Sequence, residues 1–212
     1  MAIFNSFLLG NVKKSVANLT MYGVKGVSIV RGKPLNVRNP RTDKQRVQRA
    51  KMALLVQLAK RFRPVFRISY PGIVGLKSGI HCFIQDNLGA VTVDDRFQAT
   101  VDFKKLVCSS DGLKLPKVAV AYRQEDNQFV FTQTVQKRTF SCDTSDVVWV
   151  VAYEKVQKET EVYELNTREK GGVTAEELPE DWVAENCEFY AFARNETGTQ
   201  VSRTSHFTLT GE

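Results

Sequence analysis

Between Asn39 and Pro64, apolar residues recur at three- and four-residue spacing. Val47, Ala50, Leu54, Leu58 and Phe62 form one stripe, which predicts a helix over 42–63. Its ends carry their own signals. Pro40 turns Asn39 away from helical geometry. Thr42 is an N-cap, and Gln45 three residues on completes a capping box. Asp43 places a negative charge at the positive end of the helix dipole. Pro64 has no N–H to continue the ladder, so one long helix is expected to stop near Arg63.

On either side the pattern changes. Ser15–Tyr22 and Gly26–Arg31 read as two short strands, with Gly23 and Gly26 shaping their connection. Leu35–Arg41 reads as extended chain between prolines. After the helix, Val65–Tyr70 stays apolar and aromatic until Pro71-Gly72 breaks it. Leu76–Leu88 keeps a helical rhythm through Ile80, Phe83, Ile84 and Leu88, with Gly89 as its stop. From about Thr92 the texture becomes strands and turns: Ala99–Val107, Lys117–Tyr122, Phe129–Val135, Val147–Tyr153, Glu161–Leu165, Glu188–Arg194 and Gln200–Leu209. A series of this kind argues for a two-sheet sandwich. The acidic stretch Glu176–Trp182 reads as a turn, with Trp182 packed beneath it. The expected fold is α+β. A basic N-terminal region with short strands and one long helix fills 1–94, and an immunoglobulin- or fibronectin-like β-sandwich fills 95–212.

Charge sharpens that division. The net charge is +7, but residues 1–67 carry fifteen Lys and Arg against the single acid Asp43, whereas residues 68–212 carry fifteen bases against twenty-two acids. Arg31, Lys33, Arg38 and Arg41 lie in the strand and extended segments. Arg46, Arg49, Lys51, Lys60, Arg61 and Arg63 lie on the helix. Two readings stand. The bases are a solvated face, neutralised within the chain by acids such as Glu176, Glu177 and Glu180. Or they meet an anionic partner, which for nucleic acid means sequence-tolerant, salt-sensitive binding. Tyr22, Phe62, Phe66 and Tyr70 fall where core is expected, so they offer little for base stacking.

Candidate chemistry adds less. Cys82, Cys108, Cys142 and Cys187 are widely spaced, which reads as free thiols in a reducing compartment. His81 and Cys82 are adjacent and cannot ligate one metal as residues spaced along a helix face do. His206 has no nucleophile motif near it. Gly72–Gly79 has the glycines of a phosphate loop, but Leu76 stands where a glycine should precede Lys77, so it reads as a turn into the second helix. Glu159, Glu161 and Glu164 fit a solvated strand face. No metal, cofactor or catalytic residue is expected. Met1–Leu9 lacks a basic start, and Asn5 and Gly10 break the apolar run, so no secretory signal is expected. No apolar stretch reaches membrane-spanning length. The expected location is cytoplasm or virion.

Several short motifs fall in a set order: Asn18-Leu19-Thr20 with Gly26 and Ile29-Val30-Arg31; Asn39-Pro40-Arg41-Thr42 with Gln45 and Gln48-Arg49; Val101-Asp102-Phe103 before Gly112-Leu113; and Leu178-Pro179-Glu180-Asp181-Trp182. In these the chain resembles, nearly end to end, the DUF6266 family of Bacteroidetes and their phages, a group of unknown function. It departs at Ala17, where relatives tend to have glycine before the asparagine. The resemblance implies a basic α/β part joined to an immunoglobulin- or fibronectin-like sandwich, and it brings no catalytic residues. With the charge pattern, it leads to the expectation of a non-enzymatic structural protein of a phage or prophage particle, forming an oligomer or assembly with other subunits. The alternative is a cytoplasmic nucleic-acid-binding protein acting through residues 31–63.

Overall fold

Val147–Glu154 (β9) is the most apolar strand of the chain because both of its faces are covered. Val148, Val150 and Ala152 point to one side, and Val151 and Tyr153 to the other; none is more than 4% exposed. A computed structural model describes residues 2–3, 14–24, 26–34, 36, 39–71 and 77–209. The chain divides into two compact units, residues 1–43 with 74–76, and residues 44–73 with 77–212.

The first unit holds one antiparallel sheet. Ala2–Ile3 (β1), Lys14–Val16 (β2), Leu19–Val24 (β3) and Val27–Gly32 (β4) lie in the order β1-β4-β3-β2. The strand expected over Ser15–Tyr22 is instead a hairpin. It turns at Ala17-Asn18, where Ala17 takes φ +49°. That left-handed conformation crowds a Cβ and favours glycine.

In the second unit, Asp43–Arg61 (α1) is followed after one residue by Arg63–Ser69 (α2). The helix therefore ends two residues before the expected Arg63, and a second one starts. Pro64 explains both facts. It cannot donate into α1, but it fits the first turn of α2, where no intrahelical partner is needed. The buried face also differs from the expected stripe. Leu55, Leu58, Ala59 and Phe62 are buried, whereas Val47, Ala50 and Leu54 are half-buried.

Gly79–Asp86 (α3) lies within the second helix expected from sequence. Ser78 and His81 form a capping box at its start. A Cβ on Gly79 would come 2.6 Å from Phe66 Cβ, so the glycine is what lets α3 lie against α2. Asn87 then ties the helix end to Val107, accepting its N–H at 2.7 Å and donating to its carbonyl at 2.6 Å.

Val91–Val93 (β5) pairs with Ala99–Val101 (β6). The strand expected to reach Val107 stops at Val101, because the Asp102 carboxylate accepts the Lys104 N–H and turns the chain into a single 3-10 turn. Val118–Arg123 (β7), Gln128–Gln133 (β8) and Gly172–Glu177 (β11) form a three-stranded sheet, order β11-β8-β7. The first part of the expected acidic turn is strand β11. Glu159–Thr167 (β10), β9, Cys187–Arg194 (β12) and Ser205–Phe207 (β13) form a four-stranded sheet, order β10-β9-β12-β13.

Two cores follow from the alternation along β9 and β12. Val148, Val150, Ala152, Phe189, Ala191 and Ala193 meet Val120, Phe129 and Phe131 of the three-stranded sheet, with Phe129 and Phe189 rings 5.0 Å apart. Trp182 is buried in this core, beneath its loop. On the opposite face, Val151, Tyr153, Tyr190 and Phe192 meet Leu55, Phe62, Phe66 and Phe83. The boundary expected at 94/95 lies within this unit, and its helix-side core draws on residues from both sides of that point.

Candidate functional site

Leu54, Leu58 and Arg61 sit on one face of α1, at four- and three-residue spacing. Beside that face lies a groove of about 770 Å³. Leu54, Leu58, Ala99, Val101, Phe103 and Tyr153 give it an apolar lining, and Lys60, Arg61, Lys155 and Lys158 supply its cations. Among the described residues, no Asp or Glu lines it. A second cavity of about 780 Å³ shares Lys60, Arg61 and Lys158 and adds Arg63, Arg67, Glu159 and Glu161.

Local structure fixes these cations from two directions. Lys60 and Arg61 occupy the last turn of α1, where positive charge complements the helix dipole. Arg63 and Arg67 are i, i+4 neighbours on α2. Lys155 and Lys158 bracket the β9–β10 turn. That turn is held by Glu154, almost fully buried, whose carboxylate accepts the Gln157 N–H. Lys155 pairs with Glu188 at 3.0 Å, and the same carboxylate takes His206 Nε2 at 2.7 Å. Among the described residues, no carboxylate lies within ion-pair distance of Lys60, Arg61, Arg63, Arg67 or Lys158. Burial raises the Tyr153 hydroxyl above the ordinary tyrosine range, with Arg61 opposing and Glu154 adding, so the phenol at the groove is a neutral donor.

The structure gathers three of the sequence-derived bases here, Lys60, Arg61 and Arg63. Arg46 lies toward the other end of α1, about 22 Å from Arg61 at the helical rise; it stacks over Phe97, 5.3 Å from the ring centre. Arg49 is exposed and Lys51 half-buried. Arg31, Lys33 and Arg41 belong to the first unit, where Arg31 lies over the Tyr22 ring at 5.7 Å. Arg38 lies outside the described residues. Sequence reasoning missed Arg67, Lys155 and Lys158. The only signal for Lys155 and Lys158 was a pair of lysines flanking the turn after the most apolar strand, and Arg67 follows Arg63 by one helical turn on α2.

The remaining candidates have structural partners. His81 Nδ1 is 3.0 Å from Ser78 Oγ. The four cysteines are free, three of them buried and Cys82 half-buried. Of the phosphate-loop-like stretch, residues 72–76 lie outside the described residues, and Lys77-Ser78 leads directly into α3. Among the described residues there is no group of three or more ligands able to hold a metal. No helix among them is long and apolar enough to cross a membrane.

A mixed α/β chain of antiparallel sheets and short helices, with a basic, apolar-lined groove, is the class of protein these features define. The chain belongs to DUF6266, a family of unknown function, whose profile matches residues 11–208. No curated protein and no solved structure gives a match.

Proposed function

We propose that this chain is a non-enzymatic assembly protein, a structural component of a phage or prophage particle, that holds an acidic segment of a neighbouring subunit in the groove at Lys60, Arg61 and Lys158. One observation carries the reading: cations from a helix end and a hairpin turn converge over an apolar lining. A peptide bearing both carboxylates and apolar side chains uses both parts. A sugar–phosphate backbone uses the cations alone. We also read the packed sheets as a fibronectin-like sandwich. Strands β7, β8 and β11 lie over β10, β9, β12 and β13, so the first, second and fifth strands share one sheet and the others the second. Placement in a particle rests on the family resemblance and on fold analogy; capsid, portal or tail genes beside this gene would support it.

The groove is tested by fluorescence anisotropy with two labelled probes of equal charge. One is a peptide alternating Glu and Leu, the other a single-stranded oligonucleotide. The peptide is expected to bind more tightly. Lys60→Gln, Arg61→Gln and Lys158→Gln together should weaken it at least about tenfold while changing stability by only about 0.5 kcal/mol per site. Preference for the oligonucleotide, with a salt slope that falls by about one for each lost contact, would support the nucleic-acid reading instead.

A further inference from the structure

The three-stranded sheet spends its inner face on the core, and its outer face is unusually apolar. Pairing registers place the outward residues in three rows across β7, β8 and β11: Ala119, Thr132 and Val173; Ala121, Val130 and Ala175; Arg123, Gln128 and Glu177. An antiparallel sheet with one solvated face ordinarily alternates apolar inward and polar outward. Here five of the six residues in the first two rows are Ala or Val. Val173 is 63% exposed, and at the same end of the sheet Val135 and Leu115 are 56% and 44% exposed.

We propose that this face is the contact between two copies of the chain, related by a two-fold axis running along β8. The argument is complementarity. Turning a copy over about that axis lays β7 of one copy on β11 of the other and β8 on β8. In the first row Ala119 then meets Val173 of the second copy, small against large, twice. In the middle row Val130 meets its own equivalent, and Ala121 meets Ala175. In the last row Arg123 meets Glu177 of the second copy, again twice. A two-fold interface must be self-complementary in this way, residue i meeting j and j meeting i. An axis perpendicular to the strands brings the Ala119 row onto the Arg123 row and loses both matches. Packed sheets cross at roughly 30°, and the long side chains of Arg123 and Glu177 span that offset. Within one chain Arg123 also contacts Asp126 at 3.2 Å, so the arginine lies between two carboxylates in the pair. This surface shares no residue with the basic groove, and the inference goes beyond the function proposed for the groove.

The test is sedimentation velocity on the full chain, with thermal melting alongside. The native chain is expected to be mostly dimeric at about 100 µM, as a dissociation constant of ~10 µM requires. Val173→Glu, at an exposed site, should give monomer at about 100 µM and leave the melting temperature unchanged when both proteins are melted well below the dissociation constant, at about 1 µM. Arg123→Glu and Glu177→Arg should each weaken the dimer at least about tenfold, and the double variant should recover most of that loss. A native chain that stays monomeric overturns the proposal, as does a dimer indifferent to Val173→Glu. So does a double variant no better than the two single ones, since the Arg123–Glu177 pairing defines the axis.

Discussion

The ring of Phe62 lies 5.2 Å from the ring of Tyr153, joining the residue between α1 and α2 to β9, an interior strand of the β10-β9-β12-β13 sheet. Tyr190 and Phe83 complete the surroundings of Phe62, at 6.0 and 5.4 Å. Helices and strands on this side of the sheet therefore share one core.

Two consequences of that contact can be measured. Phe62→Ala should cost about 3–5 kcal/mol, as large-to-small changes at fully buried aromatics do. A fragment of residues 44–212 should melt cooperatively. A fragment starting at residue 95 leaves Val151, Tyr153, Tyr190 and Phe192 without their helical cover. It should bind a hydrophobic dye and show no sharp transition in circular dichroism. A sharp, reversible melt of the shorter fragment would mean that the sheet face does not depend on the helices.

Arg168 is fully buried beside Asp146, Nε to Oδ2 at 3.1 Å, and its guanidinium donates to Gln136 Oε1 and the Lys114 carbonyl. Burial raises the Asp146 carboxyl, with the Asp143 N–H and Arg168 opposing. Removing one member strands a buried charge. Arg168→Met should cost about 3–5 kcal/mol, and Arg168→Met with Asp146→Leu should cost less than the sum of the single changes. Urea denaturation of the four proteins in that cycle gives the coupling, and strict additivity would rule out a coupled pair.

Cys108 has no exposed surface, and burial pushes its thiol up to about 12, with the Thr204 hydroxyl partly opposing. An unfolded thiol ionises near 9.0. Between those values the folded chain holds a proton that the unfolded chain has released. Stability from this group is thus complete below about pH 9 and declines as pH rises, by at most about 1.4 kcal/mol per unit. Melting of the native chain should fall more steeply from about pH 8 to about pH 10.5 than melting of Cys108→Ala, and parallel curves would exclude the thiol as the cause.

Ala17 occupies a left-handed turn position at φ +49°. Ala17→Gly should stabilise the β2–β3 hairpin by roughly 0.5–1 kcal/mol. Slower amide exchange of Leu19 and Met21 is the expected sign; exchange left unchanged or faster would show that the strain is relieved elsewhere.

Much of this fold was legible from residue order. Helical spacing and Pro64 located α1 to within a few residues, and short apolar runs between turn signals located β7, β8, β9 and β12. What escaped was tertiary in origin. Leu55 and Leu54 are equivalent by composition, and only the sheet behind them makes Leu55 the buried one. Glu176 and Glu177, the acidic end of strand β11, read as part of a turn until β8 supplies their partners. The groove was half visible. Lys60, Arg61 and Arg63 stood out as a run, but Lys155 and Lys158 join them only because one face of β9 takes the helices.

Helix α1 contains no fully buried residue before Leu55, so its first twelve residues, Asp43–Leu54, rest on partly covered side chains while its last turns are locked in the core. Opening free energy is therefore graded along one continuous helix, small at Asp43 and approaching that of global unfolding at Leu58 and Ala59. Such an element can lose its first turns and re-form them without disturbing the sheet, and the shape of the groove, which begins at Leu54, is set by the part that does not open.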